Sequence, residues 1–172
     1  MKVTVTQESH TSKNSKLMRK TIAHSVLKFP NEQSSWLDVK ALARFEATSE
    51  DSRYPIESAF EQDGQGWRAV EIGEQAIRLF FDQPQWIQRI RLCFHEPETE
   101  CAQQFTLHWS TDHTSELKPL IQQSWDFKSA ESIMQIEDYE VDLKGVRLLQ
   151  LVVSPEIKHD PAVATLVSWH LA

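Results

Sequence analysis

An all-β fold, an antiparallel sandwich, is predicted from three observations. Apolar runs of strand length follow one another at hairpin-like spacing along most of the chain. Most of them alternate with period two, which buries one face of a strand and wets the other. Turn-forming residues separate them where long helical patterns would otherwise stand, which is the texture of a sandwich or barrel.

Taken in order, Leu37–Phe45 alternates imperfectly and reads as the first strand. Thr48 to Tyr54 is polar, and Pro55 behind it breaks the run. Glu61-Gln62-Asp63-Gly64-Gln65-Gly66 forms the clearest turn, because glycine reaches backbone angles that other residues avoid. Gln75–Phe81 carries Ile77, Leu79 and Phe81 on one face, and Asp82-Gln83-Pro84 closes it. Ile87–Phe94 follows with Ile90, Leu92 and Phe94 opposite Arg89, Arg91 and Cys93. Phe105–Trp109 ends at Ser110-Thr111-Asp112. Leu117–Trp125, Ile133–Leu143, Val146–Val153 and Ala164–Leu171 complete the set. Residues 1–35 are set apart as a lead-in: Leu17, Ile22, Val26 and Leu27 fit a short amphipathic helix and an edge strand equally. The domain proper is 36–172.

The bulk numbers exclude several classes. The chain has 172 residues, 40% of them hydrophobic and 25% charged, which suits one globular domain. With 18 basic and 25 acidic residues, its formal charge of −7 argues against a nucleic-acid partner, which needs a concentrated basic face. No run approaches the about 18 apolar residues of a membrane span. The polar start reads as no secretory signal, so a cytoplasmic location is expected. Cys93 and Cys101 are the 2 cysteines. A hairpin centred on Pro97 would set them opposite each other, with paired thiols or a cross-strand bridge as the alternatives.

Ala47-Thr48-Ser49-Glu50, Tyr54-Pro55, Ala59-Phe60, Asp63-Gly64 and Trp67, in that order, resemble the opening of the discoidin (coagulation factor 5/8 type C) domain. Ile77–Phe81 with Gln83-Pro84, Ile90-Arg91-Leu92 and Phe105–Asp112 look like its middle strands, and Val146–Val153 and Thr165–Leu171 like its closing ones. The resemblance implies a galactose-binding-domain-like jelly roll whose loops at one end hold ligand. It also implies a core tryptophan at Trp67, and leaves Asp63-Gly64 short of the carboxylates that calcium-holding members use.

The candidate contacts lie in three loops. Arg53 and Tyr54 suit a ligand rim, while the bland alternative is a surface turn. His95, Glu96 and Glu98 offer an imidazole and carboxylates to a polyol, cation or basic partner, or form a solvated hairpin tip. Lys158 and His159 could donate to sugar hydroxyls or to an anion, or close an ordinary turn. The 6 tryptophans are assigned to the core by default, with the prospect that one is exposed for stacking. The 7 histidines show no metal-ligand spacing. There is no nucleophile elbow, P-loop or dinucleotide fingerprint among only 4 glycines, so neither catalysis nor a cofactor is expected. The function that follows is a non-catalytic module binding a carbohydrate or similar small polar ligand. The alternative is an intracellular protein-interaction or scaffold module.

Overall fold

The computed structural model describes residues 36–95, 102–113, 116–126, 134–156 and 163–172. The lead-in therefore lies outside the described residues. The elements are helix α1 (Val39–Leu42) and strands β1 (Ala43–Ala47), β2 (Trp67–Ile72), β3 (Gln75–His95), β4 (Ala102–Ser110), β5 (Lys118–Asp126), β6 (Met134–Glu156), β7 (Val163–Leu166) and β8 (Ser168–Leu171). A 3-10 turn spans Ile56–Phe60.

All strand pairings are antiparallel. The main sheet runs β1-β3-β6-β4-β5, with β8 also on β3, while β2 and β7 make a separate ribbon. The long strands β3 and β6 belong to both layers. Gln75–Phe80 pairs with Leu148–Val153, the register then breaks between Phe80 and Arg89, and Ile90–His95 pairs with Met134–Tyr139. The break shifts the buried parity of β3 from Ile77, Leu79 and Phe81 to Ile90, Leu92 and Phe94, all nearly or wholly buried. Extra residues in a ladder bend a strand in this way, and here they fold one sheet into two facing layers. Aromatic contacts cross the gap between them: Phe94 stacks on Phe105 at 5.4 Å, and Phe60 lies 4.9 Å from Phe45 and 5.8 Å from Trp169.

Four local expectations are corrected. Leu37–Phe45 is not one strand: Asp38 accepts a hydrogen bond from the Ala41 amide and caps the single turn α1 before β1 begins. Asp82-Gln83-Pro84 does not end β3, because Pro84 stands exposed where the ladder is already broken, so its missing N–H costs no bond. Ile133–Leu143 and Val146–Val153 are likewise one strand, β6. The run Ala164–Leu171 is split at Val167, whose amide turns to the Cys93 carbonyl. β2 is an additional strand without a strong sequence signal: only Trp67 and Ala69 of its six residues are buried.

The hairpin expected to set Cys93 opposite Cys101 is described only on its Cys93 side. β3 at Cys93 has β6 on one edge and β8 on the other, so β4 cannot pair there. Cys93 is a buried free thiol, and burial pushes its pKa up; Cys101 lies outside the described residues.

One charged cluster fixes the start of the domain. Asp138 on β6 accepts from Arg89 Nε and Nη2 at 2.8 and 2.6 Å and from Arg91 Nε at 2.9 Å. Both guanidinium groups lie over the Trp36 ring, at 5.3 and 5.2 Å from its centroid. Trp36 also packs 5.4 Å from His170, whose pKa is lowered by burial and then by Arg91. Hydrogen bonds from Arg89 and then Arg91 hold Asp138 below the ordinary carboxylate range. A carboxylate with a depressed folded pKa stabilises above its unfolded value, and that stabilisation is lost as pH falls through the folded one. We expect Asp138→Asn to cost about 1–2 kcal/mol near neutral pH. The gap from wild type should close below about pH 4 in urea denaturation followed by fluorescence.

Candidate ligand rim

Antiparallel pairing sets one end of the sandwich. β1 ends at Ala47, β3 starts at Gln75, and β4 starts at Ala102 opposite Glu156 and Asp126. In the facing layer, His95 ends β3 opposite Met134, the start of β6. β7 begins at Val163 opposite Ile72, three residues before β3. The described residues that flank the chain at 96–101, 127–133 and 157–162 all stand at this end.

The segment after β1 is held by side chains that take over the work of a missing ladder. Thr48 Oγ1 donates to Gln75 Oε1 at 2.6 Å and accepts from the Ala76 amide. Ser49 Oγ accepts the amides of Val70 and Glu71, and the Ser49 carbonyl accepts Trp67 Nε1 at 3.1 Å. Trp67 is therefore a core residue, 2% exposed, with its one polar atom satisfied. Glu50 accepts the Ile56 amide, which orders the 3-10 turn. The Asp51 amide donates to the Arg68 carbonyl, and the Arg68 amide donates to the Tyr54 carbonyl.

This lacing presents Arg53 and Tyr54 together. Arg53 donates through Nε to Asp51 Oδ1 at 3.1 Å and through Nη2 to Oδ2 at 2.7 Å, a two-point grip that fixes the plane of the guanidinium. Its Cζ lies 5.8 Å from the Tyr54 ring centroid. The Arg53 side chain is 78% exposed while Asp51 is only 12% exposed, so the grip spends little of the arginine's surface. Hydrogen bonds from the Arg53 side chain and backbone hold the Asp51 pKa down to about 2 from 3.8. In Arg53→Ala the side-chain bonds go but the residue-53 amide still donates to Asp51, so the Asp51 pKa should rise from about 2 yet stay below 3.8, as read from its carboxyl carbon by NMR.

The other expected contacts are placed less fully. His95 is the last residue of β3, at the same end. Glu96, Glu98, Lys158 and His159 lie outside the described residues. Asp51 went unnoticed in the sequence, although an Asp two residues before an Arg in a polar break is an Asx-turn signal; the Arg53 amide indeed donates to Asp51 Oδ1 at 3.0 Å. Asp63 is an exposed turn residue, and among the described residues no three His, Cys, Asp or Glu side chains gather for a metal. Nor does any helix among them have the length and apolarity to cross a membrane.

Solved structures share this architecture. A family 32 carbohydrate-binding module from Clostridium perfringens in complex with GalNAc-β-1,3-galactose superposes with a TM-score of 0.59 at 17% identity, covering 80% of this chain and 99% of its own. The chain has the discoidin fold. A second C. perfringens module of that type, from a family 31 glycoside hydrolase, gives a TM-score of 0.59 at 14% identity, covering 79% of this chain and 93% of its own. A pectin-binding module gives 0.55 at 17% identity over 76% of this chain and 89% of its own. No protein-family profile matches this discoidin-fold sequence, and no curated protein matches it.

Proposed function

We propose that this protein is a non-catalytic binding module that recognises a carbohydrate through the rim at the strand ends. The observation that carries this reading is the Asp51–Arg53–Tyr54 arrangement. A guanidinium held in plane by a sheltered carboxylate keeps free donor edges for sugar hydroxyls, and the ring beside it offers an apolar face to their C–H side. His95, Glu96, Glu98, Lys158 and His159 are proposed to extend this rim, because the described residues flanking their segments stand at the same end. One fixed guanidinium and one ring give shallow recognition, with weak single-site affinity. The carbohydrate-binding neighbours of the fold support the class of ligand, with GalNAc-β-1,3-galactose and galactose among those bound. A cytoplasmic location is proposed with it, with which the buried free thiol of Cys93 is compatible.

The test is a glycan array probed with the folded chain, with and without calcium. Reproducible binding that falls about tenfold or more in Arg53→Ala and in Tyr54→Ala is the expected result. A blank array with folded protein would overturn the reading. Binding untouched by both substitutions would remove this rim from it.

A further inference from the structure

Trp86 stands apart from the other tryptophans and from the rim. It sits in the bend of β3, between the pairs Gln85–Val146 and Ile87–Leu143. Nine residues separate it from His95, which at strand rise puts it about 30 Å from the rim end. Its neighbour Ile87 takes the inward position and is fully buried, so Trp86 is turned outward and is 55% exposed. The other large exposed hydrophobic residues described are Val70, Ile72, Met134 and Ile136, none of them aromatic.

The exposed ring is held, not loose. Trp86 Nε1 donates to Asp142 Oδ1 at 2.7 Å, which fixes the indole against β6. Lys144 Nζ lies 5.3 Å from the ring centroid and 3.6 Å from Asp142 Oδ2. The side chains of Lys144 and Asp142 are 70% and 66% exposed, so the donor and the acceptor beside the ring both remain open to solvent. A fixed indole contributes nothing to the core from this position. It does supply a flat apolar surface bordered by one ammonium and one carboxylate oxygen.

The geometry points to a second ligand site at Trp86, for a neutral pyranose. The C–H face of the sugar stacks on the indole, Lys144 donates to a ring-edge hydroxyl, and Asp142 Oδ2 accepts from its neighbour. A uronate is disfavoured, because Asp142 repels its carboxylate and the chain as a whole carries −7. Lys144 must swing aside from the ring, which an exposed, flexible side chain does readily. With the rim at the opposite end, such a site would let one module grip two stretches of glycan, raising avidity without new rim contacts.

The experiment follows the Trp86 indole N–H resonance of the full chain, assigned by its loss in Trp86→Phe. The probes are methyl β-galactopyranoside, methyl β-glucopyranoside and cellohexaose, with an oligogalacturonate as charged control. The proposal expects the Trp86 resonance to shift with at least one neutral probe and not with the oligogalacturonate. The same shift should persist in Tyr54→Ala, and affinity at this resonance should fall about tenfold in Asp142→Ala, an exposed substitution that leaves the core intact. A resonance unmoved by every neutral probe overturns it, as does equal response to the oligogalacturonate or full retention of affinity in Asp142→Ala. Failure of the rim proposal reads differently: no Tyr54-sensitive binding, with the Trp86 response unchanged.

Discussion

Phe105→Ala is expected to lower the unfolding free energy by about 3–5 kcal/mol. Phe105 is fully buried on β4 and stacks on Phe94 of the facing layer at 5.4 Å, with Tyr139 edge-on at 6.5 Å. It therefore joins the layers at three points of the sequence that no local interaction would hold together. Truncation removes its apolar area, opens a cavity, and strips Phe94 of an aromatic partner. The surroundings have little freedom to collapse, since Leu107, Leu151 and Val153 around it are fully buried parts of the ladder. A urea midpoint shifted to lower concentration with an unchanged slope is the measurement that checks this. A loss below about 1 kcal/mol would mean that the layers do not depend on this contact.

Gly66→Ala comes second, at about 2–4 kcal/mol. Gly66 enters β2 with a φ of +77°. A Cβ there would lie 2.5 Å from the Leu166 carbonyl oxygen and 2.8 Å from Val167 Cα, both backbone atoms of the β7–β8 junction. Backbone cannot yield as a side-chain tip does, so the β2–β7 ribbon must shift. Gly73→Ala separates the two costs: its φ is +89°, but nothing lies within 4 Å of the added Cβ. That variant should lose only the left-handed backbone penalty, about 1–2 kcal/mol. Equal losses at the two positions would assign the Gly66 effect to φ alone. Because Trp67 follows Gly66 and bonds the Ser49 carbonyl, Gly66→Ala should also disturb the segment that presents Arg53.

Much of the strand inventory was legible because each run obeys a local rule. Ile77, Leu79 and Phe81, or Phe105 and Leu107, alternate as half-buried strands must, and the turns between them carry residues suited to turning. The misreadings occur where a distant element sets the outcome. Leu37–Phe45 looked extended until the Asp38 cap and a buried Val39 made a helical turn. Pro84 looked like a terminator, although a strand that bends has already given up its hydrogen bonds at that point. β2 has no strong alternation to announce it, because four of its residues are exposed on a two-stranded ribbon with little to cover.

The candidate site divides along the same line. Arg53 and Tyr54 were marked by residue type alone, since a polar break with an arginine and a phenol is a recognisable surface. That Asp51 fixes the guanidinium required knowing the local turn. That Trp86 is exposed depends on which face of the bent strand β3 it occupies, and the bend is created by the β3–β6 register shift.

Alternation, turn chemistry and short motifs are properties of neighbouring residues, so the class of the fold and the order of most strands could be read along the chain, with Arg53 and Tyr54 marked there as candidates. Only the tertiary structure decided that β3 and β6 run unbroken through both layers, that Cys93 faces β6 and β8, and that Trp86 is turned outward. These depend on pairings between residues far apart in the chain, such as Cys93 with Ser168 and Gln75 with Val153, whose register is set by packing across the sandwich.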